Sequence, residues 1–187
     1  MVQGNHHVYV YNKIGGGSFG EVFEGNYKDR DVAVKFVQGA VAGRPMFRQE
    51  VSIWRSLHHH NIAKFIGSTC DMSRIIFRGQ RPRNVNVCCM VSEYYPRGSV
   101  PAFYLSGNRT LTRAVIRSIA LDVARGLRYL HDEKGIIHGD VKPSNLLVDS
   151  NGTVKIADFG ISHWADGYDS SQVGGGDIHY RAPEVSP

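Results

Sequence analysis

Apolar and polar residues alternate with a period of two in several short runs of the first half of the chain. Val8 to Tyr11, Glu21 to Tyr27, Asp31 to Val37 and Val85 to Val91 each read as a β-strand with one buried face, and Asn61 to Gly67 as a loop leading into another. The period changes to that of a helix at Pro45 to Leu57, where Phe47, Val51 and Trp54 form one stripe with Glu50 at its border. A second helical stripe runs from Thr112 to His131 through Ile116, Ile119, Val123, Leu127 and Leu130, with Thr112 as N-cap and Gly135 just past the end. Leu146 to Val148 and Val154 to Ile156 flank the turn residues Asp149 to Gly152 and predict a β-hairpin. Asp71 to Asn84 carries Arg74, Arg78, Arg81 and Arg83 with Gly79 and Pro82, and is expected to be an exposed loop. Ile161 to Pro187 shows little periodicity and is expected to be a mobile segment held at both ends.

The polar residues that interrupt these patterns carry the chemistry. Asp140, Lys142 and Asn145 precede the hairpin and Asp158 follows it, so four polar groups converge at its open end. A carboxylate to orient a hydroxyl, a cation for a transferring phosphoryl group and oxygen ligands for magnesium are what phosphoryl transfer needs. Ile14 to Gly25 reads I-G-G-G-S-F-G-E-V-F-E-G and sets Gly15, Gly17 and Gly20 at G-x-G-x-x-G spacing. A dinucleotide fingerprint opens a helix after its glycines, whereas a strand follows here, so a strand-turn-strand flap over a triphosphate is the better reading. Backbone N–H groups of Gly15, Gly16, Gly17, Ser18 and Gly20 could approach phosphate oxygens, with Phe19 at the tip shielding them from water. Lys35 shares a strand face with Ala33, and Glu50 is the carboxylate that would hold its ammonium against the phosphates.

Composition narrows the class. The 187 residues are 42% hydrophobic, enough for one domain with a core. The net charge is +5, but Lys and Arg are scattered rather than gathered into a tract, so no nucleic-acid partner is expected. Cys70, Cys88 and Cys89 are odd in number, with two adjacent, and offer neither a disulfide framework nor a zinc spacing; a reducing compartment fits them best. His58, His59 and His60 are neighbours in sequence and lack the spacing of metal ligands. No apolar run is long enough for a transmembrane segment and no signal or myristoylation pattern opens the chain. A cytoplasmic location is expected, with peripheral association at the plasma membrane left open.

The ordered set of Gly-rich loop, V-A-V-K, helix glutamate, H-G-D-V-K-P-S-N, D-F-G and A-P-E resembles the eukaryotic protein kinase family over nearly the whole chain. F-R-Q-E-V-S-I-W-R-S-L-H-H-H-N-I-A-K-F-I-G, V-C-C-M-V-S-E-Y-Y-P-R-G-S and V-K-I-A-D-F-G are most similar to plant Raf-like mitogen-activated protein kinase kinase kinases. The resemblance implies an α+β, two-lobed fold over residues 1–187. Residues 1–95 would form a five-stranded antiparallel N-lobe with its helix C, and 96–187 an incomplete, mainly helical C-lobe. It implies ATP and Mg2+ as cofactors and serine/threonine specificity, since Lys142 stands two residues after Asp140. A protein substrate, with a downstream kinase as one candidate, is the implied partner. Carried over by position, Asp140 orients the substrate hydroxyl, Lys142 neutralises the transferring group, Asn145 and Asp158 hold magnesium, and Lys35 with Glu50 positions the triphosphate. Val22, Ala33 and Leu147 would sandwich the adenine, Ile14 would border it, and the backbones of Glu93 and Tyr95 would meet its edge. Trp54, Phe65, His138 and Phe159 would form an internal column.

Three departures qualify the resemblance. Gly139 stands where most of the family has an arginine that pairs with a phosphorylated activation segment, so a phosphate on Tyr168, Ser170 or Ser171 would lose its usual partner. Asp177 stands where a threonine usually bonds the catalytic Asp and Lys; its carboxylate would repel Asp140 or capture Lys142. The sequence stops at Pro187, just after A-P-E; the expectation is either a fragment of a longer kinase or a chain in which Glu184 would lack its family partner and the Thr112 to His131 helix its apolar neighbours. Two alternative functions follow: a catalytically weak nucleotide-binding or docking fragment, and a small-molecule kinase resembling aminoglycoside phosphotransferases, which share H-G-D with an Asn five residues after the Asp.

Overall fold

The computed structural model describes residues 6–17, 20–37, 45–83, 88–104, 109–166 and 176–180. The chain divides into two units, one of residues 1–57 and 64–94, the other of 58–63 and 95–187.

The first unit is built on a six-stranded sheet. β1 (Val8–Gly17), β2 (Gly20–Tyr27) and β3 (Arg30–Val37) form an antiparallel meander, and β6 (Cys89–Glu93) and β4 (Phe65–Thr69) extend it beyond β3. The five antiparallel strands are joined by a sixth. Ile75–Phe77, inside the segment expected to be an exposed loop, forms β5 and pairs parallel to Val8, Tyr9 and Val10 of β1. Ile75 is buried, which explains the pairing: its side chain joins the core cluster rather than solvent.

β5 also fixes the curvature of the sheet. It lies at the opposite edge from β4, five interstrand spacings of about 4.8 Å away, yet the six residues from Thr69 to Ile75 span at most about 21 Å. The sheet therefore curls until its edges approach. Val8, Val10, Phe23, Val32, Val34, Phe36 and Val91 fill the concave side and are almost wholly buried. Each contributes about 1.5–3 kcal/mol on removal from water. Phe23 and Phe36 meet edge to face at 5.5 Å.

The register of β4 and β6 overturns the cysteine reading. Thr69 pairs with Cys89, so Cys70 faces Cys88 across the next position, and the two are joined in a disulfide. Counting cysteines cannot reveal a pair that only the sheet register makes neighbours. The third, Cys89, is fully buried, and burial pushes its thiol up to about 12.

α1 (Pro45–Ser56) follows β3 and buries Phe47, Glu50, Ile53 and Trp54. Trp54 packs on Phe65 of β4 with ring centroids 5.5 Å apart.

The second unit is organised around α3 (Arg113–Arg128), which continues as a π-turn over Tyr129–Glu133. Its expected cap is present: the Thr112 hydroxyl accepts from Val115 N–H at 3.3 Å. A short helix, α2 (Val100–Tyr104), and a small pair, β7 (Ile136–Ile137) with β10 (His163–Trp164), frame the hairpin of β8 (Leu146–Val148) and β9 (Val154–Ile156). Val100, Leu111, Ile116, Ile119, Val123 and Leu127 line an open apolar groove, in which Ile116 is half exposed.

The hairpin is tied down from two sides. Residues 61–63 add to β9 through Ile156 N–H to Asn61 O at 2.9 Å and Ala63 N–H to Ile156 O at 2.8 Å. Asp122 of α3, itself buried, accepts Val154 N–H at 2.9 Å. The three histidines serve the same packing: His58 N–H donates to the Tyr129 hydroxyl, His59 stacks on the Tyr129 ring at 4.8 Å, and the His60 carbonyl accepts from Lys155. Among the described residues no group of three or more His, Cys, Asp or Glu side chains is arranged to hold a metal ion. Replacing Asp122 with Ala leaves the buried Val154 N–H unpaired and is expected to cost about 1–3 kcal/mol, read as a lower urea midpoint with an unchanged far-UV spectrum.

Candidate active site

In the second unit the buried Asp140 is the centre of a hydrogen-bond cluster. Its Oδ2 accepts from Lys142 Nζ at 2.8 Å and from Asn145 Nδ2 at 3.0 Å, and its Oδ1 accepts from Asp177 N–H at 2.9 Å. Burial alone raises the Asp140 carboxyl, but the Lys142 ammonium, the Asp177 N–H and the Asn145 amide together hold it below the usual carboxylate range. The same contact with Asp140 raises the Lys142 ammonium. At neutral pH the pair is charged on both sides: a carboxylate able to orient a hydroxyl and a cation able to meet a phosphoryl group.

Asn145 closes the loop on itself. Its Nδ2 also donates to the Asp140 carbonyl at 2.8 Å, which orients the amide and presents Oδ1 as the atom a cation would take. Its carbonyl accepts from Ala157 N–H at 2.9 Å, one position beyond the Leu146 to Ile156 pair, and Asp158 is the next residue at the open end of the hairpin. Asp158 has φ 64. A non-glycine residue in that region carries a strain of about 1–3 kcal/mol, the kind held in place at functional positions. Two oxygen-bearing side chains are too few for an all-protein cage, but they fit magnesium, which keeps waters and phosphate oxygens among its ligands.

His138 supports the loop from beneath and is almost wholly buried. Its Nδ1 accepts from Asp140 N–H at 3.2 Å, so the proton sits on Nε2, which donates to the Ala157 carbonyl at 3.0 Å. The ring meets Phe159 at 5.0 Å. Burial pushes its imidazolium pKa down, so it stays neutral.

Gly139 and Gly176 explain one departure from the family pattern. Gly139 has φ 81, and a Cβ there would lie 3.2 Å from the Ile161 carbonyl; Gly176 has φ 88, and its Cβ would lie 2.7 Å from the Gly139 carbonyl. The two backbones touch at 176, and a side chain at 139 would be strained by the positive φ and would press on Ile161. The contact also delivers Asp177 N–H to Asp140. Of the two effects foreseen for the Asp177 carboxylate, only a weak hold on Lys142 is seen, at 3.9 Å from its Nζ; its other oxygen accepts from His179 N–H at 3.1 Å, which was not foreseen.

The first unit carries the other set. Lys35 Nζ meets Glu50 Oε1 at 3.0 Å, with both side chains largely buried between β3 and α1. Val22 pairs with Lys35, and Val22, Ala33 and Lys35 lie on the half-buried face of the sheet, opposite the Phe23, Val34 and Phe36 core. Gly16 pairs with Glu21 and Gly17 with Gly20, so the glycine run is a hairpin as expected, with Ile14 exposed beside it. Ser18 and Phe19 lie outside the described residues, as do Tyr168, Ser170, Ser171 and the A-P-E residues 182–184. Glu93 closes β6, with its N–H donating to the Lys64 carbonyl at 3.0 Å. Tyr95 is buried in the second unit and Leu147 is the middle residue of β8. Two positions escaped the sequence reading: Met90 and Ser92 pair with Lys35 and Ala33, which places them on the same face. The alternation in V-C-C-M-V-S-E holds that signal once the strand is aligned on V-A-V-K.

A model of the protein kinase domain matches residues 8–186. The chain belongs to the protein kinase family. Among curated relatives, the Arabidopsis thaliana protein described as "Probable serine/threonine-protein kinase SIS8" is 38% identical over 95% of this chain, and "Serine/threonine-protein kinase CTR1" of the same plant is 39% identical over 94%. "Serine/threonine-protein kinase STY17", also from Arabidopsis thaliana, is 34% identical over 94%. The chain covers 16%, 21% and 29% of those three proteins, respectively. Their names carry the serine/threonine class that Lys142 implied, and the kinase fold accounts for the α+β architecture.

Because the folded pKa of His138 lies below its unfolded value near 6.5, the unfolded chain binds the extra proton first. His59, also depressed by burial, acts in the same sense. Stability is therefore complete above about pH 7 and falls as pH drops through the unfolded value. Urea titrations at pH 7.5 and 5.5 are expected to show the loss, and His138→Gln, which keeps a donor and an acceptor without titrating, should flatten the slope.

Proposed function

We propose that this kinase chain transfers the γ-phosphate of ATP to serine or threonine hydroxyls of a protein, in intracellular signalling. The observation that carries the proposal is the Asp140, Lys142 and Asn145 cluster: a buried, ionised carboxylate with a cation and a fixed amide at hydrogen-bond distance. In this reading Asp140 orients the incoming hydroxyl and accepts its proton as the bond to phosphorus forms. Lys142 leaves its contact with Asp140 to meet the charge that builds on the transferring group. Asn145 and Asp158 would hold magnesium, which would neutralise phosphate oxygens. Lys35, kept in place by Glu50, binds the non-transferring phosphates, and the glycine hairpin with Val22 and Ala33 encloses the nucleotide. A downstream kinase fits as the protein substrate, in keeping with the resemblance to kinases that act on kinases.

A second reading, a nucleotide-binding or docking module with little turnover, has one observation in its favour. The Asp177 carboxylate offers Lys142 a competing anion where the family has a hydroxyl. The small-molecule kinase reading has no such support, since the relatives named above are all protein kinases.

Phosphotransfer from ATP to a generic protein substrate, measured beside calorimetric ATP binding, separates the two: binding without transfer favours the docking module. Lys35→Met is expected to lower transfer by at least about a hundredfold, the order of one preorganised electrostatic contact. It also removes the ion-pair partner of the buried Glu50, which is expected to lower the melting temperature. The double variant Lys35→Met/Glu50→Gln should recover the melting temperature but not the activity; recovery of both would show that Lys35 is structural. Gly176→Ala must push its segment off Gly139 and detach Asp177 N–H from Asp140. Loss of one hydrogen bond to a charged group, about 1.5–3 kcal/mol, predicts a fall in turnover of roughly tenfold or more with ATP affinity unchanged.

A further inference from the structure

The segment between the two disulfide-bonded cysteines does more than connect strands. It leaves β4 at Cys70, forms β5 at the far edge of the sheet, and reaches the glycine hairpin by Arg83, before the chain comes to Cys88. On the way it grips the hairpin by backbone and side chain. Arg78 N–H donates to the Val10 carbonyl at 2.8 Å, Gln80 Oε1 accepts from Lys13 N–H at 3.2 Å, and Arg83 N–H donates to Glu21 Oε2 at 2.8 Å. Glu21 passes the restraint on: its Oε1 meets Lys13 Nζ at 2.6 Å, and its backbone pairs with Gly16.

The bond that closes this belt is open to chemistry on one side only. Cys70 is exposed, whereas Cys88 is 1% exposed. Exposed disulfides are the labile ones. Cys89, adjacent to the bond, is held protonated by burial and does not compete in exchange.

We propose that Cys70–Cys88 is a thiol-exchange site, reduced by dithiols, whose state sets how firmly the 71–83 segment holds the glycine hairpin. A thiolate of the dithiol attacks Cys70 Sγ; the S–S bond breaks, its electron pair leaves on Cys88 Sγ, and Cys88 takes a proton. The second thiolate of the dithiol then displaces Cys70 from the mixed disulfide, so the protein gains two electrons and two protons while the dithiol becomes a disulfide. With the covalent tie between its ends cut, the bonds to Val10, Lys13 and Glu21 open more often, and the hairpin loses its brace. The consequence for nucleotide rests on reading that hairpin as the ATP flap; the consequence for the segment itself does not.

The test uses the 187-residue chain, air-oxidised and then treated with dithiothreitol. Peptide mapping without reductant should recover Cys70 and Cys88 linked; finding both thiols alkylated overturns the proposal. Reduction should speed trypsin cleavage after Arg78 or Arg83 by at least about fivefold, since cleavage follows the open population. Cys70→Ser should be cleaved at the fast rate with or without reductant. Equal cleavage of the oxidised and reduced chain sinks the latch. Calorimetry with ATP should show an affinity at least about threefold weaker after reduction. If ATP binds equally well in both states, the coupling to the hairpin is wrong. Failure to bind ATP in either state would count against the nucleotide reading instead, with the cleavage rates still deciding the latch.

Discussion

Burying a carboxylate is costly unless its oxygens are met, and the second unit is arranged around meeting those of Asp140. Lys142 alone would leave a simple ion pair, free to rotate. Asn145 on one oxygen and Asp177 N–H on the other fix the carboxylate plane. Each donor is itself held: Asn145 by the base of the hairpin, Asp177 by the touching backbones of Gly139 and Gly176. The hairpin in turn depends on Asp122 and on residues 61–63. Removing a layer would weaken the support of one donor and make the buried anion costlier to keep.

The neutral His138 belongs to the same logic. A charged imidazolium beneath the loop would compete with Lys142 for Asp140 and would itself have to be buried. As the Nε2–H tautomer it spends its proton on the Ala157 carbonyl and its lone pair on Asp140 N–H, so it holds the backbone without adding charge. Packing thus sets the protonation state, and the protonation state leaves the electrostatics of the site to one cation.

How much of this was legible depended on whether a contact is local. The hairpin at 146–156, the Thr112 cap, the glycine hairpin and the Lys35 to Glu50 pair all follow from periodicity and short spacing, and each stands where those patterns put it. What was missed depends on register between distant segments. Ile75–Phe77 is too short and too closely flanked by arginines to announce a strand; only β1, more than sixty residues earlier, supplies the edge it pairs with. Cys70 and Cys88 became partners because Thr69 aligned with Cys89, and Met90 and Ser92 reached the site face because β6 aligned with β3.

Gly139 shows how the two kinds of information combine. By sequence it is a loss, an arginine absent from a place where the family uses one to collect a phosphate. By structure it is a backbone preference, because at φ 81 any side chain is strained and its Cβ would press on the Ile161 carbonyl at 3.2 Å. The arginine device orders the loop by charge after modification. Two glycines in contact order it by shape before any modification, provided residue 176 stays without a side chain and the residue after it presents its N–H. Asp177 meets that condition with its backbone, which is why a residue of the wrong charge can occupy the position: the contact that positions Asp140 does not use the side chain at all.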